Sequence, residues 1–255
     1  MLFRPALLAA ALLGAAPALG FDLANMTDAE RTAFGTEVRA YLLAHPEVLI
    51  EVSDALKAQQ EAKQAVNDQT LVGQNAAALF NDGYSYVGGN PNGDITLVEF
   101  LDYRCGYCRK AHDGVTNLLK SDGNIRYIVK EFPILGEDSV VASRFAIAAL
   151  RVAGPEAYQK ISAGFYESFR GEVTTDTLAA FATGLGLDPA PILAGMSDPE
   201  IDKVIASNHM LAASMDIGGT PTFVLGNKLV RGYVPEAALE AMLAEARTAP
   251  APAQN

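Results

Sequence analysis

Residues 95–112 read ITLVEFLDYRCGYCRKAH, an apolar run that leads straight into Cys105-Gly106-Tyr107-Cys108. The run is rich in β-branched residues, and a helical pattern follows the second cysteine. Cys105 and Cys108 are the only two cysteines among 255 residues, so they are not one of several structural disulfides. A bridge between them would close too short a loop to restrict the unfolded chain strongly. The pair therefore indicates thiol chemistry, either redox exchange or binding of a soft metal.

The position of the pair at the start of a helix is suited to redox exchange. A thiolate, not a thiol, attacks a disulfide, and the unpaired N–H groups of a first helical turn stabilise the anion. We therefore expect Cys105 to be the exposed nucleophile. Cys108, one turn later, is expected to be shielded and to resolve the mixed disulfide. Arg104 and Arg109 either add positive potential here or are ordinary solvated charges.

Metal binding is the competing interpretation of the same two cysteines. A structural zinc site needs four ligands, usually from a second cysteine pair or two histidines. His45, His112 and His209 are scattered along the chain, and only His112 is near the pair. Cu(I) is a stronger competitor than zinc, because two thiolates are enough to bind it.

The flanking sequence predicts a strand–helix–strand unit around the pair. Residues 95–101 form its first strand, a helix follows to about Leu119, and residues 125–132 form a second, parallel strand. A short strand is predicted at 84–87. Further helices are predicted at 139–152, 155–169, 175–185 and 199–215, followed by a hairpin of 222–225 and 228–231 and a last helix from Pro235 to about Arg247.

Residues 27–79 are predicted to be helical and differ in composition from the rest of the chain. Thr27 and Glu30 fit a capping box, and Pro46 separates two helices. Residues 57–69 are polar and offer a helix little to bury. A one-sided apolar stripe must pack on the main domain or on a copy of itself, and the polar stretch favours self-association into a homo-oligomer. The stripe consists of Phe34, Val38, Tyr41, Leu42, Leu49, Val52 and Leu56.

The two ends of the chain carry separate signals. Residues 1–20 combine an early positive charge, an apolar run and small residues, the pattern of a cleaved signal peptide. Loss of Arg4 with that segment changes the formal net charge from −11 to −12, which argues against nucleic acid and anionic membranes as partners. No second apolar stretch is long enough to span a bilayer. Export predicts the oxidising periplasm, and residues 248–255 are predicted to be a disordered tail.

Taken together, these motifs resemble the DsbA-like thiol–disulfide oxidoreductases of the thioredoxin superfamily. The matching residues are EFLDY at 99–103, before the cysteine pair, and GGTPTF at 218–223, after the helical block. YLLAHPEV at 41–48 is similar to the ScsC (suppressor of copper sensitivity) branch. The resemblance implies an α/β chain with a thioredoxin fold, an all-helical insertion at 137–216 and a preceding N-terminal helical segment.

The resemblance also implies roles for five residues. Cys105 and Cys108 would form a redox-active disulfide, with no other cofactor. Thr220 and Pro221 would be joined by a cis peptide bond that faces the cysteines and leaves the Thr220 backbone free to pair with an extended client. Glu99 matches the family's acidic residue beneath the active site and would relay protons to Cys108.

We therefore expect four segments: a signal peptide (1–20), an oligomerisation segment with linker (21–79), a DsbA-like thioredoxin domain (80–247) and a tail. The mature protein would act on cysteine-containing client proteins, with a membrane redox partner of unknown identity. Thr before the proline resembles the isomerases DsbC and DsbG and, with the expected oligomer, favours isomerase or reductase activity. A monomeric DsbA-type oxidase and a Cu(I) carrier that holds metal on the two cysteines remain open.

Overall fold

The structure, a computed structural model, describes residues 24–248. The predicted signal peptide at 1–20 lies outside these residues, and so does the predicted tail beyond Thr248. The described chain divides into two compact units, of which the first ends at Gln59 and the second begins at Gln60.

Helices α1 (Asp28–Ala44), α2 (Glu47–Gln74) and α3 (Ala76–Phe80) confirm the predicted N-terminal helical segment. The capping box at the start of α1 is present. Thr27 Oγ1 accepts the Glu30 N–H at 3.3 Å, and the Glu30 carboxylate accepts the Thr27 N–H at 2.8 Å. Helix α1 buries none of its residues. The apolar stripe is exposed to solvent along α1 and the first turns of α2, except at Leu42, which is half-buried.

Five strands form a mixed sheet at the centre of the second unit. Strand β1 (Tyr86–Gly89) runs antiparallel to β3 (Ile125–Glu131), which runs parallel to β2 (Ile95–Leu101). On the other side of β2, β4 (Thr222–Leu225) is antiparallel and forms a hairpin with β5 (Lys228–Arg231). The order across the sheet is β1-β3-β2-β4-β5. This sheet, with helices packed on it, confirms the thioredoxin-like fold.

Strand β1 begins two residues later than predicted. The Asp82 carboxylate accepts the N–H groups of Tyr84 at 3.1 Å and Ser85 at 3.0 Å. This local turn uses the two donors and keeps them out of the strand ladder. An apolar–polar pattern at 84–87 gives no sign of such competition.

Helix α4 (Gly106–Asp122) connects β2 to β3 and confirms the strand–helix–strand unit. It runs three residues past the predicted end at Leu119 and stops at Gly123, where φ is +67°. A glycine adopts this left-handed conformation without steric cost. The buried face of α4 packs on the sheet through Ala111, Val115 and Leu118.

The helical insertion contains five helices where four were predicted. They are α5 (Glu137–Ala153), α6 (Pro155–Glu167), α7 (Thr175–Gly184), α8 (Pro189–Gly195) and α9 (Pro199–Ser214). The additional helix, α8, has seven residues, too few to show apolar periodicity. It is capped by Asp188, which accepts the Ala190 N–H at 3.0 Å, and is anchored by the fully buried Ile192. Helix α10 (Glu236–Thr248) ends one residue beyond the predicted Arg247.

The second unit begins earlier than the predicted domain boundary at residue 80. Val72 on α2 and Leu79 on α3 are buried in its core. Asp68 is also buried, because its carboxylate accepts hydrogen bonds from both terminal nitrogens of Arg231, at 2.9 and 3.0 Å. A polar stretch was expected to keep this part of α2 away from the domain. The charged Asp68 packs against the domain all the same, because Arg231 pairs with its carboxylate.

Candidate active site

The cysteine pair lies where β2 passes into α4. Cys105 is the N-cap residue of α4, and Cys108 is in its first turn. The N–H of Cys108 donates a hydrogen bond to Cys105 Sγ at 3.4 Å. No disulfide joins the two cysteines in this structure. The helix start therefore directs a backbone donor at the first sulfur, as the sequence indicated.

A buried aspartate holds the turn that carries the pair. Asp102 Oδ1 accepts the Arg104 N–H at 2.7 Å and the Ser139 hydroxyl at 2.8 Å. Its Oδ2 accepts the N–H groups of Ile134 and Leu135 at 2.8 and 3.0 Å. The carboxylate thus ties the active-site turn to the loop after β3 and to α5. Sequence reasoning gave Asp102 no role, although it lies within the EFLDY motif.

The loop before β4 lies against the first cysteine. The Thr220–Pro221 peptide bond is cis, and Cys105 Sγ lies 3.2 Å from the Thr220 carbonyl oxygen. This contact corrects the expectation of an exposed Cys105, which is 7% exposed, while Cys108 is 1% exposed. Cys105 is still the more accessible of the two. Tyr107 between them is 64% exposed, so the surface beside the pair is open.

The environment separates the pKa values of the two thiols. The hydrogen bond with Cys108 is the largest cause that lowers the Cys105 pKa from 9.0 to about 5, and burial opposes it. Hydrogen bonds with Thr220 and with the N–H groups of Cys108 and Tyr107 lower it further. Burial is also the main reason why the pKa of Cys108 is raised, and its contact with Cys105 and the charge of Glu99 act in the same direction. At neutral pH, Cys105 is a thiolate and Cys108 a thiol.

Glu99 lies on β2 with its carboxyl group buried. Burial raises its pKa from 4.5 to about 7, a hydrogen bond from the Tyr127 hydroxyl opposes this shift, and the charge of Cys105 adds to it. Lys130 on β3 does not pair with Glu99. Lys130 pairs with Phe100 in the β2–β3 register, so it lies on the other face of the sheet, where it binds Asp82.

A cavity of about 540 Å³ adjoins Glu99 on the face of the sheet covered by α4 and α6. Its wall includes His112, whose Nε2 lies 3.1 Å from the Glu167 carboxylate. Four tyrosines also line it, at positions 86, 127, 158 and 166. Because a water molecule occupies about 30 Å³ in the liquid, the cavity has room for several waters beside Glu99.

A third buried carboxylate, that of Glu131, supports the segment before the cysteine pair. Glu131 Oε1 accepts the hydroxyl groups of Tyr103 and Tyr158, each at 2.6 Å, and Oε2 accepts the Ser143 hydroxyl at 2.7 Å. Burial raises the pKa of Glu131 to about 7 against these hydrogen bonds. Tyr103 stands two residues before Cys105, so this network fixes the EFLDY segment. Sequence reasoning missed it, because its members are distant in the chain.

Two further properties bear on the alternatives. Across residues 24–248, no three or more His, Cys, Asp or Glu side chains are grouped so that they could hold a metal ion. The two cysteine sulfurs stay the predicted Cu(I) ligands, because two thiolates are enough to bind that ion. No helix within the described range is long and apolar enough to cross a membrane.

Two family models match the chain. The thioredoxin model matches residues 81–245. The model of the N-terminal domain of the copper resistance protein ScsC matches residues 30–63. The first match covers the sheet, the cysteine pair and the helical insertion, and the second covers α1 and the first half of α2.

Solved structures with the same fold are similar in sequence as well. A thioredoxin-like oxidoreductase from Silicibacter pomeroyi is 37% identical, covers 68% of this chain and 98% of its own, and has a TM-score of 0.63. The thiol–disulfide exchange protein α-DsbA2 from Wolbachia pipientis is 27% identical over 72% and 97%, with a TM-score of 0.66. A periplasmic thioredoxin-like protein from Salmonella enterica is 29% identical over 68% and 96%, with a TM-score of 0.62.

Curated proteins give a more partial match. The Na⁺/H⁺ antiporter NhaA 1 of Salinispora arenicola is 27% identical over 161 residues, which are 63% of this chain and 24% of the antiporter. The chain thus spans about a quarter of the length of that relative. The match concerns one portion of the antiporter, so its transport activity is not carried over.

Proposed function

We propose that this chain, which belongs to the thioredoxin family, is an exported protein disulfide isomerase or reductase. Its structural neighbours include thiol–disulfide oxidoreductases of the DsbA and ScsC type. One observation carries the thiol–disulfide exchange on which the proposal is built. Cys105 has a pKa of about 5, whereas the pKa of Cys108 three residues later is raised. A nucleophile and a resolving thiol with such different pKa values fit stepwise attack on a client disulfide.

The reaction begins when the Cys105 thiolate attacks one sulfur of a client disulfide. A mixed disulfide forms, and the second client sulfur leaves as a thiolate. In isomerisation, another client thiolate attacks the mixed disulfide, which forms a new client disulfide and regenerates the Cys105 thiolate with no net transfer of electrons. In reduction, Cys108 attacks Cys105 instead, which releases the client dithiol and oxidises the pair.

The raised pKa of Cys108 favours isomerisation of the client over its rapid reduction and release. Cys108 must lose its proton before it can attack, so the mixed disulfide persists and a client thiol has time to react. Glu99 is the group to receive that proton, because its pKa of about 7 lets it exchange protons near neutrality. Water in the adjoining cavity would return the proton to solvent.

The N-terminal helices support the proposal that the protein is a homo-oligomer. Leu49 and Val52 are each 59% exposed, an expensive arrangement for an apolar stripe in water. A second copy would cover the stripe and bring a second dithiol to the same client. A periplasmic location agrees with the predicted signal peptide and with the periplasmic relative from Salmonella. A membrane thiol oxidoreductase would return the pair to the dithiol state.

Two other functions each have an observation in their favour. A low Cys105 pKa stabilises the reduced pair and so makes its disulfide a stronger oxidant, as a DsbA-type oxidase requires. The ScsC N-terminal match favours a Cu(I) carrier in copper tolerance, with Cys105 and Cys108 as ligands.

Refolding of scrambled ribonuclease separates the three functions. The reduced protein, with a Cu(I) chelator present, should restore ribonuclease activity catalytically, and Cys105→Ser should not. An oxidase would instead accelerate disulfide formation in reduced ribonuclease when supplied in the oxidised form. Activity in neither assay, together with tight Cu(I) binding to the reduced pair, would support the carrier. Sedimentation of the full chain and of a chain without residues 21–59 tests the oligomer.

A further inference from the structure

The arginines on either side of the cysteine pair both bind one segment, residues 166–171 at the end of α6. Arg104 Nη1 donates a hydrogen bond to the Gly171 carbonyl at 3.0 Å. Arg109 donates from its own Nη1 to the Tyr166 carbonyl. The segment therefore lies beside both flanks of the pair and holds two guanidinium groups there.

A third arginine lies in the segment itself. Arg170 donates to the Phe169 carbonyl at 2.7 Å and approaches the Tyr166 carbonyl to 3.5 Å. Arg109 and Arg170 thus converge on the same carbonyl oxygen. Burial lowers the pKa of Arg109, and the positive charges of Arg170 and Arg104 lower it further. Carbonyl oxygens carry no net charge, so these hydrogen bonds leave the positive charges uncompensated.

Nearby carboxylates compensate this charge only in part. Asp138 lies 3.7 Å from Arg104 and shares its charge with it. The carboxylate of Glu167 is bound to His112 at 3.1 Å. The concentration of positive charge contrasts with the whole chain, whose formal net charge is −11.

We propose that Arg104, Arg109 and Arg170, here named the arginine surface, bind clients whose reactive cysteine is flanked by acidic residues. This inference rests on the proposed thiol–disulfide exchange and adds a preference among its clients. A carboxylate forms short, charge-assisted hydrogen bonds with a guanidinium group, often two in parallel. Carboxylates on either side of a client cysteine would bring its sulfur to Cys105. Charge complementarity of this kind acts mainly on the rate of encounter.

The arginines also have a plain structural interpretation, since cations stabilise the carbonyl groups at a helix C-terminus. The two interpretations predict different kinetics. If the arginines only stabilise the end of α6, or only activate the thiol, their loss affects every client equally. If they bind acidic clients, their loss affects acidic clients more than basic ones.

The experiment uses the reduced full chain and two peptides of equal length. Each peptide has one cysteine, flanked by Asp residues in one and by Lys residues in the other, and capped as a disulfide with thionitrobenzoate. Attack of the Cys105 thiolate on the peptide sulfur forms the protein–peptide disulfide and expels the coloured thionitrobenzoate anion. The ratio of the two rate constants measures the preference.

We expect the unmodified chain to react at least about fivefold faster with the Asp peptide, since one contact between opposite charges in water is worth about that factor. Arg109→Gln and Arg170→Gln should each reduce the ratio about two- to fivefold, whereas Arg109→Lys should largely retain it. Asp138→Asn should increase the ratio, because it removes the competing carboxylate. Molar salt should abolish the preference. Arg151→Gln, which changes the net charge equally but affects an arginine bound to Asp198, is the matched control.

A ratio near one, or a ratio that the arginine substitutions leave unchanged while both rates fall, would overturn the arginine surface and leave the exchange function intact. Failure of both peptides to react with the unmodified chain would instead overturn the proposed function. If Arg109→Gln unfolds, the salt dependence of the unmodified chain and the Asp138→Asn result still decide the matter.

Discussion

Replacement of Glu99 by glutamine should stabilise the protein, relative to the unmodified chain, more at alkaline pH than at acid pH. In the unfolded chain a glutamate has a pKa of 4.5, and in the folded protein burial raises it to about 7. Between these values, the unfolded chain releases a proton that the folded protein keeps. The free energy of unfolding therefore falls as pH rises through this window, and the loss is complete above pH 7. The difference between the two pKa values corresponds to about 3 kcal/mol.

Glutamine has nearly the same shape and does not titrate, so Glu99→Gln removes this loss. Denaturant unfolding of the reduced proteins at pH 4 and pH 8 gives the advantage of the variant at each pH. We expect the advantage to grow by about 3 kcal/mol from the lower pH to the higher, whatever constant offset the amide introduces. Glu240→Gln, at an exposed position on α10, should shift stability by less than about 0.5 kcal/mol at either pH. An advantage of Glu99→Gln that is the same at both pH values would show that Glu99 is not desolvated as described.

Three further predictions concern the two thiols and the ion pair between Asp68 on α2 and Arg231 on β5. Cys108→Ser should accumulate mixed disulfides with clients on non-reducing gels and Cys105→Ser should not, since Cys105 is the thiolate at neutral pH. Equal accumulation by the two variants would contradict this assignment of nucleophile and resolving thiol. Alkylation of the reduced protein by iodoacetamide should rise with pH around a midpoint near 5, and a midpoint near 9 would contradict the environment described for Cys105. Arg231→Met should lower the free energy of unfolding by about 2 kcal/mol, because the buried Asp68 carboxylate loses its charge partner and keeps only the hydrogen bond from Gln64. No change in denaturant unfolding would mean that the pair adds nothing to stability.

Local pattern was enough to predict most of the fold. The β-branched run before the cysteine pair, the turn residues around it and the Gly226-Asn227 hairpin turn each determine their own element, and β2, β4 and β5 have the predicted bounds. Prediction failed where one residue competes with the pattern. The hydrogen bonds that Asp82 accepts make β1 begin two residues later than predicted. Helix α8 was missed for another reason, because seven residues are too few to show an apolar periodicity.

The site was predictable to the extent that its members are close in sequence. The two cysteines and their helix start could be found from spacing, and Glu99 and the Thr-Pro loop from a family resemblance. The support from Asp102 and Glu131 could not, because it depends on hydroxyl and N–H groups contributed by distant segments. Lys130 illustrates the same limit, since only the strand register shows that it faces away from Glu99.

The contact between Cys105 and Thr220 joins residues 115 positions apart. It forms only when β4 is paired with β2, because that pairing brings the loop before β4 beside the start of α4. The hydrogen bond from the Cys108 N–H, by contrast, lies within the first turn of α4 and needs no distant partner. A peptide that holds both cysteines and the helix start would therefore have the local half of the site and lack the wall that Thr220 provides.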